Sequence, residues 1–110
     1  MLSVMEQRYK IVVTVPTSHA DALREAMGTA GAGKIGNYSF CSFSVEGVGR
    51  FKPEPGSNPT VGKVGKYEKV EEERIEMVCE KNVVRDVIKA IRQTHPYEAP
   101  AYEVYKIENW

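Results

Sequence analysis

His95-Pro96-Tyr97-Glu98-Ala99-Pro100-Ala101-Tyr102 is where one helix must stop and one strand must begin. Immediately upstream, Val84, Val87, Ile88 and Ile91 recur at helical spacing and form an apolar stripe, with Asn82 placed to cap it. Pro96 cannot donate a backbone hydrogen bond and its ring excludes the preceding turn, so the helix ends there. Downstream, about Ala101 to Ile107 reads as a closing strand. The same segment gathers His95, Tyr97 and Glu98, polar side chains suited to touching a ligand.

Upstream the pattern repeats. Tyr9-Lys10-Ile11-Val12-Val13-Thr14-Val15-Pro16 is β-branched and closed by proline, which predicts a central strand. Thr17 or Ser18 offers a helix cap, Asp21 suits the first turn, and Ala20, Leu23, Met27 and Ala30 form the stripe. Tyr38 to Val45 predicts a second strand, with Cys41, Phe43 and Val45 on one face. Glu71 to Glu80 predicts a third, in which Ile75, Met77 and Cys79 alternate with Arg74, Glu76 and Val78. Glu71-Glu72-Glu73 reads as the solvated beginning of that strand.

The order βαββαβ has one common compact solution, an α+β ferredoxin-like sandwich with two helices on one face of an antiparallel sheet. Right-handed crossovers give the strand order 4-1-3-2. One domain spans 1–110, carrying a glycine- and proline-rich arm at 47–69 that holds five glycines and three prolines. In this topology His19, the arm and the segment from His95 to Glu98 meet at one end of the sheet.

Charge is balanced, with 15 basic and 15 acidic residues, which predicts no nucleic-acid or acidic-membrane partner. The absence of a signal-like stretch and of any run of about 20 apolar residues predicts a cytoplasmic protein. Cys41 and Cys79 read as small buried thiols. His95 and Glu98, with His19 across the sheet end, have the makings of a divalent-metal set, whereas a loop-stabilising or interface role for His95 is the plainer alternative. Gly56-Ser57-Asn58-Pro59-Thr60-Val61-Gly62-Lys63-Val64 imitates a phosphate loop but has five residues between its glycines and Val64 where a hydroxyl belongs. Gly47-Val48-Gly49-Arg50 lacks the third glycine of a dinucleotide fingerprint. Arg50 and Lys52, with Lys63 and Lys66, leave a weak anion nest open beside a folded arm as the alternative. No cysteine or serine sits in a nucleophilic motif, so no catalytic residue is expected.

Gly36-Asn37-Tyr38-Ser39-Phe40-Cys41-Ser42-Phe43, Gly47-Val48-Gly49-Arg50-Phe51-Lys52-Pro53, Gly56-Ser57-Asn58-Pro59, Gly62-Lys63-Val64-Gly65-Lys66 and His95 to Tyr102 occur in order. Together they resemble the insertion domain of the Nif-three-like family, dinuclear-metal proteins often described as homologues of a type 2 GTP cyclohydrolase I. That domain is similar in fold to the CutA and PII proteins, which are oligomeric. The resemblance implies the same fold and a stand-alone copy of the accessory domain. It does not bring the family's metal centre, whose histidines and carboxylates belong to flanking domains. The expected function is therefore a non-enzymatic oligomeric binding or regulatory module, a dimer or trimer with a small-molecule ligand near His95, Tyr97, Glu98, Arg50 and Lys52. A copper- or zinc-binding protein using His95, Glu98 and His19 is the alternative, and an enzyme acting on a nucleotide-like compound comes last. No cofactor is expected beyond that divalent metal.

Overall fold

Alternation along the first strand sets the architecture. A computed structural model describes residues 7–110. In β1 (Arg8–Pro16), Ile11, Val13 and Val15 point one way and are fully buried. Two helices cover that face: α1 (Ala20–Thr29) through Leu23 and Met27, and α2 (Val84–Thr94) through Val87 and Ile91. The remaining strands are β2 (Phe43–Phe51), β3 (Glu68–Glu80) and β4 (Tyr102–Ile107). All pairings are antiparallel, in the order β2-β3-β1-β4, which is the expected 4-1-3-2 read from the other edge. Ile11 pairs with Met77 and Val13 with Ile75, so the apolar sets of β1 and β3 share the helix-covered face.

Both helices begin differently from expectation. A 3₁₀ turn, Thr17–His19, leads into α1, and another, Lys81–Val83, leads into α2. Neither Thr17, Ser18 nor Asn82 caps through its side chain, because the N-cap positions fall to His19 and Val83. The tighter turns themselves absorb backbone groups at the helix entrances. Arg24 on α1 reaches across to the sheet, donating to Glu73 at 2.6 Å and to Ser44 at 2.9 Å.

The largest departure lies in the second strand. It runs over Phe43–Phe51, not Tyr38–Val45, and β3 starts at Glu68. Tyr38 to Ser42 instead forms an irregular approach in which Phe40 adopts a positive φ of 58°. Its ring lies against Gly28 on α1, where an added Cβ would fall 2.1 Å from the Phe40 ring. Cys41 consequently precedes the strand and is only half-buried, whereas Cys79 is buried. Phe43 and Val45 pair with Glu76 and Arg74, which places them on the face away from the helices, exposed.

β1 finishes where Pro16 meets Glu72, but the β2–β3 ladder continues to Phe51 and Glu68. This two-stranded ribbon projects beyond the sheet and stretches the molecule to 53 × 23 × 23 Å. The two ends of the expected arm, 47–51 and 68–69, are thus strand, and its irregular portion is 52–67. No described helix is long and apolar enough to cross a membrane.

Candidate functional site

The end of α2 organises the site. His95 has extended backbone geometry (φ −66°, ψ 134°), as a residue preceding proline prefers. Its amide still donates to the Ile91 carbonyl at 2.8 Å, so the helix closes while the side chain turns toward β1. There Nε2–H donates to the Thr14 carbonyl at 2.7 Å, and Nδ1 accepts the Tyr97 amide at 3.2 Å. Those two bonds define the tautomer and occupy both ring nitrogens. Burial pushes the His95 pKa below its ordinary value; the Thr14 bond and the Glu72 charge oppose that push, and His19 adds slightly to it. His95 is therefore a neutral clamp. It holds Thr14, whose amide also donates to Ala101 at 3.2 Å, and so joins β1 to the segment entering β4.

Tyr97 follows directly. Its ring meets Phe51 edge-on at 5.7 Å and tilts over His95 at 5.2 Å. Its hydroxyl donates to Glu72 Oε2 at 3.2 Å. Burial, the Glu72 charge and that hydrogen bond push the phenol pKa up to about 12, so Tyr97 keeps its proton and donates it. Glu72 itself is only 9% exposed. It lies on the face opposite the helices and fills space that any side chain at position 49 would take. A Cβ added to Gly49 would sit 2.3 Å from Glu72 Oε1.

The arm folds back over this assembly. The Asn58 amide donates to both Glu98 carboxylate oxygens at 3.2 Å, and Thr60 Oγ1 donates to the Pro96 carbonyl at 2.7 Å. Inside the arm, Ser57 bonds to the Glu54 carbonyl and the Gly65 amide to Pro53. A cleft of about 390 Å³ remains between arm, sheet end and the segment before β4. Thr14, Gly49, Glu72 and Tyr97 form its floor, and Phe51, Pro53, Pro59 and Val61 give it apolar walls. This size and mixture lie within the range of small-molecule sites.

Of the residues expected to contact a ligand, Tyr97, Glu98 and Arg50 line this cleft, and His95 stands behind it as a support. Lys52 does not line it; its ammonium lies 3.8 Å from Glu54 and 5.3 Å from the centre of the Tyr67 ring. The expected metal trio is not assembled. Both His95 nitrogens are engaged, Glu98 holds Asn58, and His19 is exposed with Nδ1 2.9 Å from Ser18 Oγ. Among the described residues no group of three or more His, Cys, Asp or Glu could hold a metal ion. Sequence reasoning missed Glu72, read as part of a solvated acidic run. Only Glu71 is exposed there, since Glu73 binds Arg24 and Glu72 is buried. The available signal was parity: with Ile75, Met77 and Cys79 facing the helices, Glu72 must face the other way, opposite the glycines of β2.

Fold and cleft define a class, the ferredoxin-like α+β domain with both helices on one face and a pocket at the end of its sheet. Solved structures share the fold. The chain superposes on CutA from Archaeoglobus fulgidus with a TM-score of 0.68 at 17% identity, covering 94% of this chain and 86% of that one. It superposes on Bacillus subtilis GlnK, solved with ATP, with a TM-score of 0.61 at 15% identity, covering 92% and 82%. At these identities the likeness is one of fold. No protein-family model matches the chain.

Sequence relatives are more specific. The chain is 51% identical over 104 residues to the GTP cyclohydrolase 1 type 2 homolog of Halalkalibacterium halodurans, and 48% identical over 99 residues to that of Bacillus subtilis. These matches cover 94% and 90% of this chain but only 28% and 26% of those proteins. A Bacillus cereus protein related to NIF3 superposes with a TM-score of 0.82 at 49% identity, over 94% of this chain and 26% of that one. The resemblance to the Nif-three-like family holds over nearly the whole chain, as a match to one segment of those longer proteins.

Proposed function

We propose that this chain is a non-enzymatic, oligomeric binding or regulatory module of PII/CutA type, acting in the cytoplasm, whose small-molecule ligand enters the cleft beneath the arm. The observation that carries this reading is the construction of the cleft. A buried carboxylate, a protonated phenol and apolar walls converge there, and the arm that covers them is held by Glu98 and Pro96. Arg50 stands exposed at its edge, where it can meet a ligand's polar end. Oligomerisation is supported by apolar residues left outside the two-layer core. Phe43, Val45 and Tyr105 lie exposed on the face away from the helices, and a second copy is the simplest cover for them.

The copper or zinc reading has less support, since coordination by His95 would require giving up its bonds to Thr14 or Tyr97. The same engagement weighs against His95 as a catalytic base. A thermal-shift panel of nucleotides, metabolites and divalent metals tests the proposal, because a ligand that binds the folded state raises the melting temperature by mass action. The expected result is stabilisation by an organic small molecule, diminished by Tyr97→Phe. Stabilisation confined to divalent metals, or by no member of the panel, would contradict it.

A further inference from the structure

The cleft holds a charge that the protein does not neutralise. Glu72 is more than nine-tenths buried, and its one hydrogen-bond partner among the described residues is the Tyr97 hydroxyl, at a long 3.2 Å. Among the described residues no lysine, arginine or histidine lies within ion-pair distance of it. Its neighbour in sequence shows the contrast, for Glu73 receives Arg24 at 2.6 Å. A buried carboxylate is costly unless a cation and further hydrogen bonds compensate it. Here the fold makes room for it by omitting a side chain at Gly49 and directs it into an open cavity.

The surroundings specify what kind of cation fits. A hard divalent ion wants six or more oxygen ligands, whereas most of this cleft's wall is carbon. Phe51 and Tyr97 present aromatic rings beside the carboxylate, and such rings attract cations over their faces. Pro53, Pro59 and Val61 offer an apolar surface leading away from it. Glu98 adds a second carboxylate at the arm side, though Asn58 already engages it.

Resting on the binding reading above, we infer that the cleft takes an organic ammonium compound, its charged nitrogen set against Glu72 beside Tyr97 and Thr14, and its apolar body along Phe51, Pro53, Pro59 and Val61. The ligand supplies the counter-charge that the chain withholds. An anionic ligand of the same size would instead meet two carboxylates, with Arg50 alone to offset them.

Three probes that share a phenylethyl body test this on the full chain: phenylethylammonium, 3-phenylpropionate and 2-phenylethanol, each titrated while backbone amide shifts are followed by ¹⁵N NMR. The ammonium probe should move the Thr14, Gly49, Glu72 and Tyr97 amides and bind about tenfold or more tightly than the other two, as a charge-assisted contact warrants. Glu72→Gln, which keeps the shape, should remove about the same factor. The wild-type comparison stands even if that variant fails to fold. Cleft shifts of equal or greater affinity with the carboxylate or the alcohol would overturn the inference while leaving a binding cleft in place. So would unchanged ammonium affinity in a folded Glu72→Gln chain. No cleft shifts with any of the three would count against the inference and the binding reading together.

Discussion

At the scale of single residues, His95 shows how a side chain with a chemical reputation can be committed to structure. Its two nitrogens bond to the Thr14 carbonyl and the Tyr97 amide, and the ring is buried. Removing it strands both backbone groups, so His95→Ala should lower stability by about 1–3 kcal/mol in a urea melt at pH 7.5. The pH response has a definite sign. Folding depresses the His95 pKa, so the unfolded chain binds the extra proton first. The stability contributed by the neutral ring is complete above the unfolded value of about 6.5 and is lost as pH falls from there toward the folded pKa. Wild type should therefore lose more stability between pH 7.5 and 5.5 than His95→Gln does. Equal losses would mean that His95 does not titrate as the clamp requires.

At the scale of elements, legibility followed how completely each was buried. β1 and β3 were readable because their alternating apolar sets are covered by helices, and the stripes on α1 and α2 were readable for the same reason. Pro96 marked the end of α2 to within a residue or two. β2 was displaced because it is an edge strand with glycines at 47 and 49, residues that argue against a strand when read alone. The ladder to β3 overrides that preference, and Gly49 is there to admit Glu72. Tyr97, Glu98 and Arg50 could be nominated as site residues from sequence. Parity along β3 could have put Glu72 on the open face, but its place beside Gly49 and Tyr97 depends on the register between two strands. The arm offers a local test. Thr60→Val and Glu98→Gln weaken its tethers without touching the core, so amide exchange at Asn58 and its neighbours should speed up. Global stability should move by no more than about 0.5 kcal/mol. A matching loss of global stability would show the arm to be part of the cooperative core.

At the scale of the whole molecule, the sheet has one face sealed by helices and one that is not. Phe43, Val45 and Tyr105 stand exposed on the open face, where Val12 is nearly buried between Glu76 and Glu103 and ion pairs join Glu76 to Lys10 and Arg74. Light scattering at micromolar concentration should report a dimer or trimer, and Val45→Glu should shift it toward monomer. A wild-type monomer would contradict the assembly. The open face and the cleft lie on the same side of the sheet, so in the proposed assembly a ligand in the cleft would sit close to a neighbouring copy. The central claim is that the cleft beneath the arm receives a small molecule, and a crystal structure with the strongest stabilising compound of the thermal-shift panel tests it most directly. The account predicts that compound between Thr14, Glu72 and Tyr97, with the arm closed over it. The compound bound elsewhere, with this cleft empty, would contradict it.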